Sequence, residues 1–249
     1  MIIDISSPIT NAAAVGEPIP YHIDFVTPEQ AFAQLPQHGI PQECFPDGRA
    51  WAMEFLEHFS LHGRTHTEYT MHYGGVGGLP INDAPREWFH NRPYVMVDFQ
   101  GWPPDHPITK RDLQDALMRV NYQLQAGDTL ILHTGAWRFA HTADFWNLHA
   151  GLDLGAARWA IEEEGIINLA TDGWTPDLSF QIAIGKIRRG EMQPDEFWAV
   201  HKLGRSVPYC QTEQLFHLDR IPAVGKHLYC MPLSIPGASA APTPAYVEV

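Results

Sequence analysis

The sequence predicts an α/β protein with a mixed β-sheet flanked by helices. Short apolar segments rich in β-branched residues alternate with segments of helical periodicity. The strand-like segments are numerous, which favours a mixed sheet over a purely parallel one. No internal repeat, low-complexity tract or Gly/Ser linker divides the 249 residues, so we expect one domain over residues 1–249.

The first elements are defined by local motifs. Residues 2–6 are short and β-branched, which predicts an opening strand. The run Thr27-Pro28-Glu29-Gln30 is a capping box with proline at the first helical position, and it predicts a helix to about Leu35. Residues 59–72 are rich in Thr, Tyr and His and predict a strand that ends in a glycine-rich loop.

The later elements alternate more regularly. The helix predicted over residues 109–123 places a set of apolar residues on one face: Leu113, Ala116, Leu117, Val120 and Leu124. Further helices are predicted over residues 154–164 and 194–203. Further strands are predicted over residues 94–99, 129–134, 166–171, 229–235 and 246–249.

The composition restricts the class of protein. Hydrophobic residues make up 45% and charged residues 18%, which is enough for a folded core. The longest apolar stretches have about six residues, far from the ~20 that a membrane span needs, and residues 1–6 do not resemble a secretory signal. Three widely spaced cysteines, Cys44, Cys210 and Cys230, support neither a disulfide framework nor a cysteine zinc site. We therefore expect a cytoplasmic protein.

The net charge of −13 argues against a nucleic acid or an anionic membrane surface as partner and leaves a small-molecule substrate. Two explanations of the acidity stay open, namely solubility and carboxylates that face bound cations. The 14 histidines direct attention to metal-ligand spacing.

One segment of eleven residues, 62–72, contains His62, His66, Glu68 and His72 at even spacing. On a strand, His66 and Glu68 point to the same side about 6–7 Å apart, within reach of one ion. An extended chain would put His62 about 13 Å from His66, too far to share that ion. The chain must therefore turn between them, and Gly63 permits a turn. We predict a turned backbone over residues 62–66.

Imidazole nitrogens with a carboxylate suit zinc or manganese, with a coordination position left open for water. Ordinary core or surface histidines on a polar strand are the alternative. His201, on a predicted helix, and Glu213, in or beside a later strand, are twelve residues apart and would by themselves be ordinary solvated or structural residues.

The eleven-residue segment resembles the signature H-x-G-T-H-x-D-x-P-x-H of the cyclase-like metal hydrolase family, which includes bacterial kynurenine formamidase and isatin hydrolase. His62, His66, Glu68 and His72 occupy its four ionisable places. Other segments are similar to further family motifs: residues 2–6, 127–135, 165–177 (with Asp172, Thr175 and Asp177) and 218–222. Residues 11–57 and 138–150 are poorly covered.

The resemblance implies a barrel-like β core of the swivelling β/β/α type, a homodimer or homotetramer, and one or two divalent ions. His62, His66 and Glu68 would hold the first ion. Glu68, His201 and Glu213 would hold a second or complete the first, and His72 would act as general acid/base. The chain departs from the family pattern at Glu68, which replaces Asp, at Arg64, which replaces Gly, and at Tyr69-Thr70.

The resulting hypothesis is a metal-dependent hydrolase that acts on non-peptide carbon–nitrogen bonds. It would cleave an aryl formamide, a cyclic amide, or a lactone or ester by attack of a metal-activated water. A metal-dependent cyclase or lyase acting through a metal-stabilised enolate, and a metal-binding protein without catalysis, are the alternatives. A serine hydrolase is disfavoured because no G-x-S-x-G motif occurs.

Three residues are candidates for substrate binding. Trp137 and Trp174 flank motifs that resemble family active-site loops, although core packing is the more common role of a tryptophan. Arg64 is placed to pair with a substrate carboxylate or, alternatively, to form a salt bridge with a neighbouring Glu.

Overall fold

The structure, a computed structural model, describes residues 1–14, 17 and 19–249. It divides into a larger unit, Met1–Pro8 with Leu61–Val249, and a smaller unit, Ile9–Ser60. The prediction of one domain over residues 1–249 stays a prediction. Among the described residues, no helix combines the length and the apolar character needed to cross a bilayer.

Strands and helices alternate along the described chain. The strands are β1 (Ile2–Asp4), β2 (His22–Val26), β3 (Met53–Glu57), β4 (His66–Glu68), β5 (Arg92–Asp98), β6 (Thr129–His133), β7 (Asn168–Thr171), β8 (Cys210–Glu213), β9 (Val224–Cys230), β10 (Ala240–Pro242) and β11 (Ala245–Glu248). The α-helices are α1 (Asn11–Ala14), α2 (Pro28–Gln34), α3 (Lys110–Arg119), α4 (Leu154–Arg158), α5 (Phe180–Arg188) and α6 (Ala199–Leu203).

The larger unit is built on a mixed sheet. Nine of the described strands pair in the order β1-β11-β9-β5-β6-β7-β8-β4-β10. The central strands β5, β6, β7 and β8 run parallel to one another, and the flanking strands pair antiparallel. The predicted α/β class with a mixed sheet flanked by helices is confirmed.

The sheet curls so that its first strand returns towards β8 and β4. Past the end of β1, the Ile5 carbonyl accepts a hydrogen bond from the Phe216 amide at 2.8 Å. The Ser7 amide donates to Thr65 Oγ1 at 2.7 Å, and the Thr65 amide donates to Ser7 Oγ at 2.7 Å. Since Phe216 follows β8 and Thr65 precedes β4, these bonds draw the sheet into a half-barrel. The predicted barrel-like core is confirmed.

Strand β6 shows how the core positions the site. All five of its residues are buried, as expected for a parallel strand covered on both faces. Leu130 and Leu132 belong to the cluster that packs under α3 and α4, whereas Ile131 belongs to the cluster inside the curl. Successive side chains of β6 point to opposite faces of the sheet, so this one strand contributes to two hydrophobic clusters. The sheet is therefore a rigid support for the site.

Local sequence predicted the helix starts better than the helix ends. In the smaller unit, Thr27 and Gln30 form the predicted capping box at the start of α2. Thr109 caps α3 as predicted, but α3 ends at Arg119 and Asn121 adopts φ 52°. Helix α4 continues into a wider π-helical turn, Trp159–Glu163. The two elements together cover residues 154–163 of the predicted 154–164.

Three predicted elements are wrong in extent. The strand predicted over residues 59–72 is reduced to β4, because a turn precedes it and another follows it. The helix predicted over 194–203 is interrupted by Trp198 at φ 59°, so α6 begins only at Ala199. The strand predicted over 229–235 lies earlier, in β9, because Pro232 has no amide to extend the ladder.

Within the smaller unit, β2 and β3 form an antiparallel ribbon in which His22 pairs with Glu57 and Val26 with Met53. Tyr21 packs edge-on against Phe59 with ring centroids 5.1 Å apart. The ribbon was not predicted. It lies in the region that the family motifs covered poorly, and its strands are separated by a long connection with no hairpin turn motif.

The pairing of β9 with β5 predicts a stability effect at Gly225. A Cβ at this position would overlap the ring of Tyr94, which is fully buried and donates from its hydroxyl to the Pro222 carbonyl. We expect Gly225→Ala to lower the free energy of unfolding by about 1–3 kcal/mol in a urea titration. Gly185→Ala in α5 is the control, since only the flexible end of Arg189 lies close, and it should be neutral or slightly stabilising. Equal effects of the two substitutions would contradict the prediction.

Candidate metal centre

Strand pairing joins two distant parts of the sequence in the site. Strand β4 lies between β8 and β10, and its register places His66 directly opposite Glu213. Side chains directly opposite on one face of an antiparallel pair are neighbours. His66 Nε2 accordingly lies 3.4 Å from Glu213 Oε2 and 3.9 Å from Oε2 of Glu68, two residues along the same strand.

A turn before β4 brings His62 to the same carboxylate. Residues 61–65 form turns and bends, as predicted for 62–66, and His62 Nδ1 lies 3.1 Å from Glu68 Oε2. The left-handed residue of this turn is Arg64, at φ 57°, and not Gly63. Position 64 is the glycine position of the resembled signature, and a left-handed backbone is the conformation that glycine adopts most readily.

His72 approaches Glu68 from the turn that follows β4. Its Nε2 lies 3.3 Å from Glu68 Oε2, and its ring lies against that of His62 with centroids 4.1 Å apart. The His72 side chain is 29% exposed, whereas the Glu68 side chain is 1% exposed. Among the predicted site residues, His72 is therefore placed between the buried carboxylate and solvent.

Helix α6 supplies His201, whose Nε2 lies 2.9 Å from Glu68 Oε1 and 3.8 Å from Glu213 Oε1. On the other side of the ring, Nδ1 donates to Asp177 Oδ2 at 2.7 Å. Asp177 also accepts from the amides of Val200, at 2.8 Å, and His201, at 3.2 Å. These bonds fix the tautomer of His201 and direct Nε2 to the two glutamates.

The six residues predicted as ligands or acid/base therefore meet in one cluster: His62, His66, Glu68, His72, His201 and Glu213. Positions 201 and 213 lie on the same side of the molecule as positions 62–68. The convergence that the sequence interpretation required is present.

The pKa values of the two buried glutamates are shifted in opposite directions when no cation is bound. Burial raises the pKa of Glu68, but the charge of His201 and the interactions with His72 and His62 outweigh it and hold the pKa well below its usual range. Burial, and then the negative charge of Glu68, raise the pKa of Glu213 well above its usual range. Burial lowers the pKa of His201, but Glu68 and Asp177 together raise it to about 10. In the metal-free site the charged form is thus favoured for Glu68 and His201 and disfavoured for Glu213.

The donor set fits a divalent cation. His66 Nδ1 donates to the Arg64 carbonyl at 2.8 Å, which leaves His66 Nε2 as an acceptor, and this atom has no hydrogen-bond partner among the described residues. The same is true of Glu213 Oε1. Neighbouring donors at metal bonds of about 2.0–2.2 Å lie about 3 Å apart, close to the separations found here. Nitrogen and carboxylate donors suit zinc or manganese.

Within the described part of the chain, two groups of side chains have donor atoms close enough to hold an ion: His62, Glu68 and His72, and His66, Glu68 and Glu213. Glu68 belongs to both. The grouping differs from the one that the family resemblance implied, in which His62 and His66 share an ion, because the cross-strand register places His66 beside Glu213.

Arg64 is fully buried, with an exposed fraction of 1%. Its carbonyl accepts from His66, so the backbone of this residue orients a candidate ligand. Burial, and then the charge of the Arg64 side chain, lower the pKa of His141. A role in substrate binding stays a prediction.

Trp137 and Trp174 contact other aromatic residues. The Trp137 ring lies 5.7 Å from that of Phe216 and 5.1 Å from that of His217, between centroids. Trp174 Nε1 donates to the Trp146 carbonyl at 2.8 Å. These contacts are those of packed aromatic residues, and a substrate-binding role for either tryptophan stays a prediction.

Three residues that contact the cluster were missed by sequence reasoning. Asp177 was identified only as part of a motif, although a carboxylate soon after a buried strand could have indicated a site residue. Ser239 Oγ lies 3.0 Å from His62 Nε2, across a separation that no local pattern indicates. Trp198 stacks on His201, and its position three residues earlier on the predicted helix was the available clue.

Comparisons with known proteins agree with the fold. A family model described as "Putative cyclase" matches residues 3–178. No curated protein sequence matches the chain significantly. Isatin hydrolase A from Ralstonia solanacearum is similar over 100% of this chain and 92% of its own, with 20% identity and a TM-score of 0.75. Isatin hydrolase A from Labrenzia aggregata, bound to benzyl benzoate, is similar over 99% of this chain and 92% of its own, with 18% identity and a TM-score of 0.74.

A third structure, described as a potential metal-dependent hydrolase with cyclase activity, is similar over 99% of this chain and 97% of its own. Its identity is 17% and its TM-score 0.65. At these sequence identities, the similarity to the three solved structures shows the fold of this chain.

The opposite pKa shifts of the two glutamates predict that their substitution has unequal effects on the stability of the metal-free protein. Glu68→Gln removes the partner of the buried His201 and should lower the free energy of unfolding by about 3 kcal/mol or more at pH 7. Glu213→Gln puts a neutral amide at a position where the charged carboxylate is disfavoured, and it should cost less than about 1 kcal/mol. Urea titration in the presence of a chelator measures both.

The pH dependence has a defined sign. Because the folded-state pKa of Glu68 is depressed, its contribution is present above the unfolded pKa of 4.5 and is lost as the pH falls. The difference between Glu68→Gln and the unsubstituted protein should therefore shrink in acid. A larger cost for Glu213→Gln than for Glu68→Gln at pH 7 would contradict these charge states.

Proposed function

The chain belongs to the cyclase family, and on this basis we propose that it is a metal-dependent hydrolase of small molecules. The observation that carries the proposal is the convergence of imidazoles and a second carboxylate on the buried Glu68. The bond cleaved would be an amide, in an aryl formamide or cyclic amide, or a lactone or ester. The names of the isatin hydrolases among the structural neighbours support the cyclic amide.

Five residues would hold the metal: His62, His66, Glu68, His201 and Glu213. The unpartnered buried atoms His66 Nε2 and Glu213 Oε1 support this assignment, because such atoms are costly unless a ligand satisfies them. Zinc or manganese, as one or two ions, fits the nitrogen and oxygen donors. The bridging position of Glu68 between the two groups of donors favours two ions.

A bound divalent ion would lower the pKa of water from about 15.7 towards 7 and so supply hydroxide at neutral pH. His72 would move the proton. Burial lowers its pKa to about 4, so its imidazole is neutral at pH 7 and free to accept a proton. Its partial exposure leaves it within reach of a substrate, and the leaving nitrogen of an amide must receive a proton before it departs.

The substrate would contact residues around the cluster. We propose Arg64, Trp137 and Trp174 for this role, with an aromatic ring as the matching substrate feature. Assembly as a homodimer or homotetramer and a cytoplasmic location belong to the same proposal.

A cyclase or lyase is the second candidate, favoured by the family's description and by the described activity of one structural neighbour. The same residues would then transfer a proton at carbon, with His72 as the carrier and no water consumed. Hydrolysis of a cyclic amide releases a new carboxylate and with it a proton, which separates the two reactions.

The catalytic role of His72 predicts a selective loss. With isatin as probe, the metal-loaded protein should open the ring and release acid, followed in a weakly buffered indicator assay. His72→Gln should lower kcat by about 100-fold or more for the amide and by less for an aryl ester, whose leaving group needs no proton.

Two controls accompany this assay. Metal content measured on the same samples should be unchanged in His72→Gln, and His106→Gln, at an exposed histidine paired with Asp105, should leave turnover unchanged. Full amide turnover by His72→Gln would exclude the proposed role of this residue.

Metal content tests the ligand set without a substrate. Elemental analysis of the protein reconstituted with zinc or manganese should give about two equivalents per chain, falling towards one in Glu213→Ala. Glu191→Ala is a control at an exposed carboxylate that pairs with Arg189. Absence of bound metal in the unsubstituted protein would remove the basis of the proposal.

A further inference from the structure

Trp198 occupies an unusual backbone position immediately before α6. Its φ of 59° and ψ of 38° are left-handed, a conformation that bulky L-residues rarely adopt. Such conformations persist where the surrounding structure holds them, and they occur often at functional sites. The contacts of the indole are therefore informative.

The indole contacts two of the six clustered side chains. Its plane lies within 18° of the His201 imidazole at a centroid separation of 4.2 Å. It also meets the His72 ring edge-on, with centroids 5.4 Å apart and planes at 81°. His201 faces one oxygen of Glu68 and His72 faces the other. One ring thus touches the imidazoles on both sides of the carboxylate.

The stack restricts a motion of His201 that its hydrogen bond leaves open. The bond from Nδ1 to Asp177 fixes the direction of that nitrogen but not the plane of the ring, and Tyr73 meets the ring only edge-on, with centroids 5.6 Å apart. A flat indole against the imidazole face opposes a tilt of the ring. Tilting would move Nε2 away from the positions in which it faces Glu68 and Glu213.

The indole of Trp198 is not enclosed by protein on all sides. Trp198 is half-buried and borders a cavity of about 120 Å³, which is also lined by Leu178 and Met192. One side of the residue is therefore open, while His72 and His201 contact the ring. These contacts are those of a residue held against the site and not of a core side chain.

We propose that Trp198 is a positioning residue of the metal centre, which fixes the ring plane of His201 and its relation to His72. The proposal rests on the proposed function, since it concerns the ligand geometry of the same site. It adds that the affinity for metal depends on a flat aromatic ring at position 198.

Cobalt(II) binding tests this directly and requires no substrate. The metal-free protein is titrated with Co²⁺, and the dissociation constant and visible absorption bands are recorded for Trp198→Phe, Trp198→Leu and Trp198→Asn. Phe keeps a flat ring, Leu keeps apolar volume, and Asn removes the ring while tolerating a left-handed backbone. Trp102→Phe is the control, since Trp102 contacts Phe99 and donates to the His106 carbonyl.

Loss of an outer partner of a metal ligand typically weakens metal binding about 10–100-fold, so we expect this loss and altered absorption bands for Leu and Asn. Phe should stay within about threefold of the unsubstituted protein, and the Trp102 variant should be unchanged. Circular dichroism of the metal-free variants identifies those that fold, and either Leu or Asn suffices.

Co²⁺ affinity and bands in a folded Leu or Asn variant that match the unsubstituted protein would overturn the proposal and leave the proposed function intact. Equal weakening in Phe, Leu and Asn would overturn the requirement for a flat ring. Absence of Co²⁺ binding by the unsubstituted protein would overturn the proposed function and this inference with it.

Discussion

The buried carboxylate of Glu68 is the constraint on which the site depends. A carboxylate with 1% of its side chain exposed is stable in the charged form only if opposite charges and hydrogen bonds replace water. Imidazole nitrogens lie 2.9–3.3 Å from its two oxygens, and His201 supplies the opposite charge. Each imidazole reaches Glu68 by a different route, namely the turn before β4, the turn after it, and α6. The sheet and helices of the larger unit hold these two turns and α6 in contact with Glu68.

Strained backbone positions lie beside three of the clustered side chains. Of the described non-glycine residues with positive φ, Arg64 lies between His62 and His66, Trp198 precedes His201 by three residues, and Gln214 directly follows Glu213. Each costs conformational energy that is recovered only in the folded arrangement. A left-handed residue changes the chain direction within one step, which a strand or helix cannot do. The strain is therefore the local means by which side chains from separate elements are directed to one point.

Much of the site was predictable because its densest part is local. The spacing of His66 and Glu68 and the chain geometry around His62 predicted both a shared site and a turn. His201 and Glu213 could be assigned only through the family resemblance, since nothing in their own surroundings distinguishes them from solvated residues. Asp177, Trp198 and Ser239 act through contacts that depend on tertiary structure. The same limit explains the fold errors, because the break at Trp198 is imposed by packing and overrides helix periodicity.

The position of β4 in the sheet has a consequence for biosynthesis. Its neighbours are β8 and β10, so residues 66–68 pair with partners that the ribosome makes more than 140 residues later. The central parallel strands, whose partners are nearer in sequence, can associate while the chain is still being elongated. During synthesis, the histidines of residues 62–72 and Glu68 are thus present long before His201 and Glu213 exist. A nascent chain would offer cations only a partial, flexible set of donors, and a complete coordination shell becomes possible only once β8 has emerged.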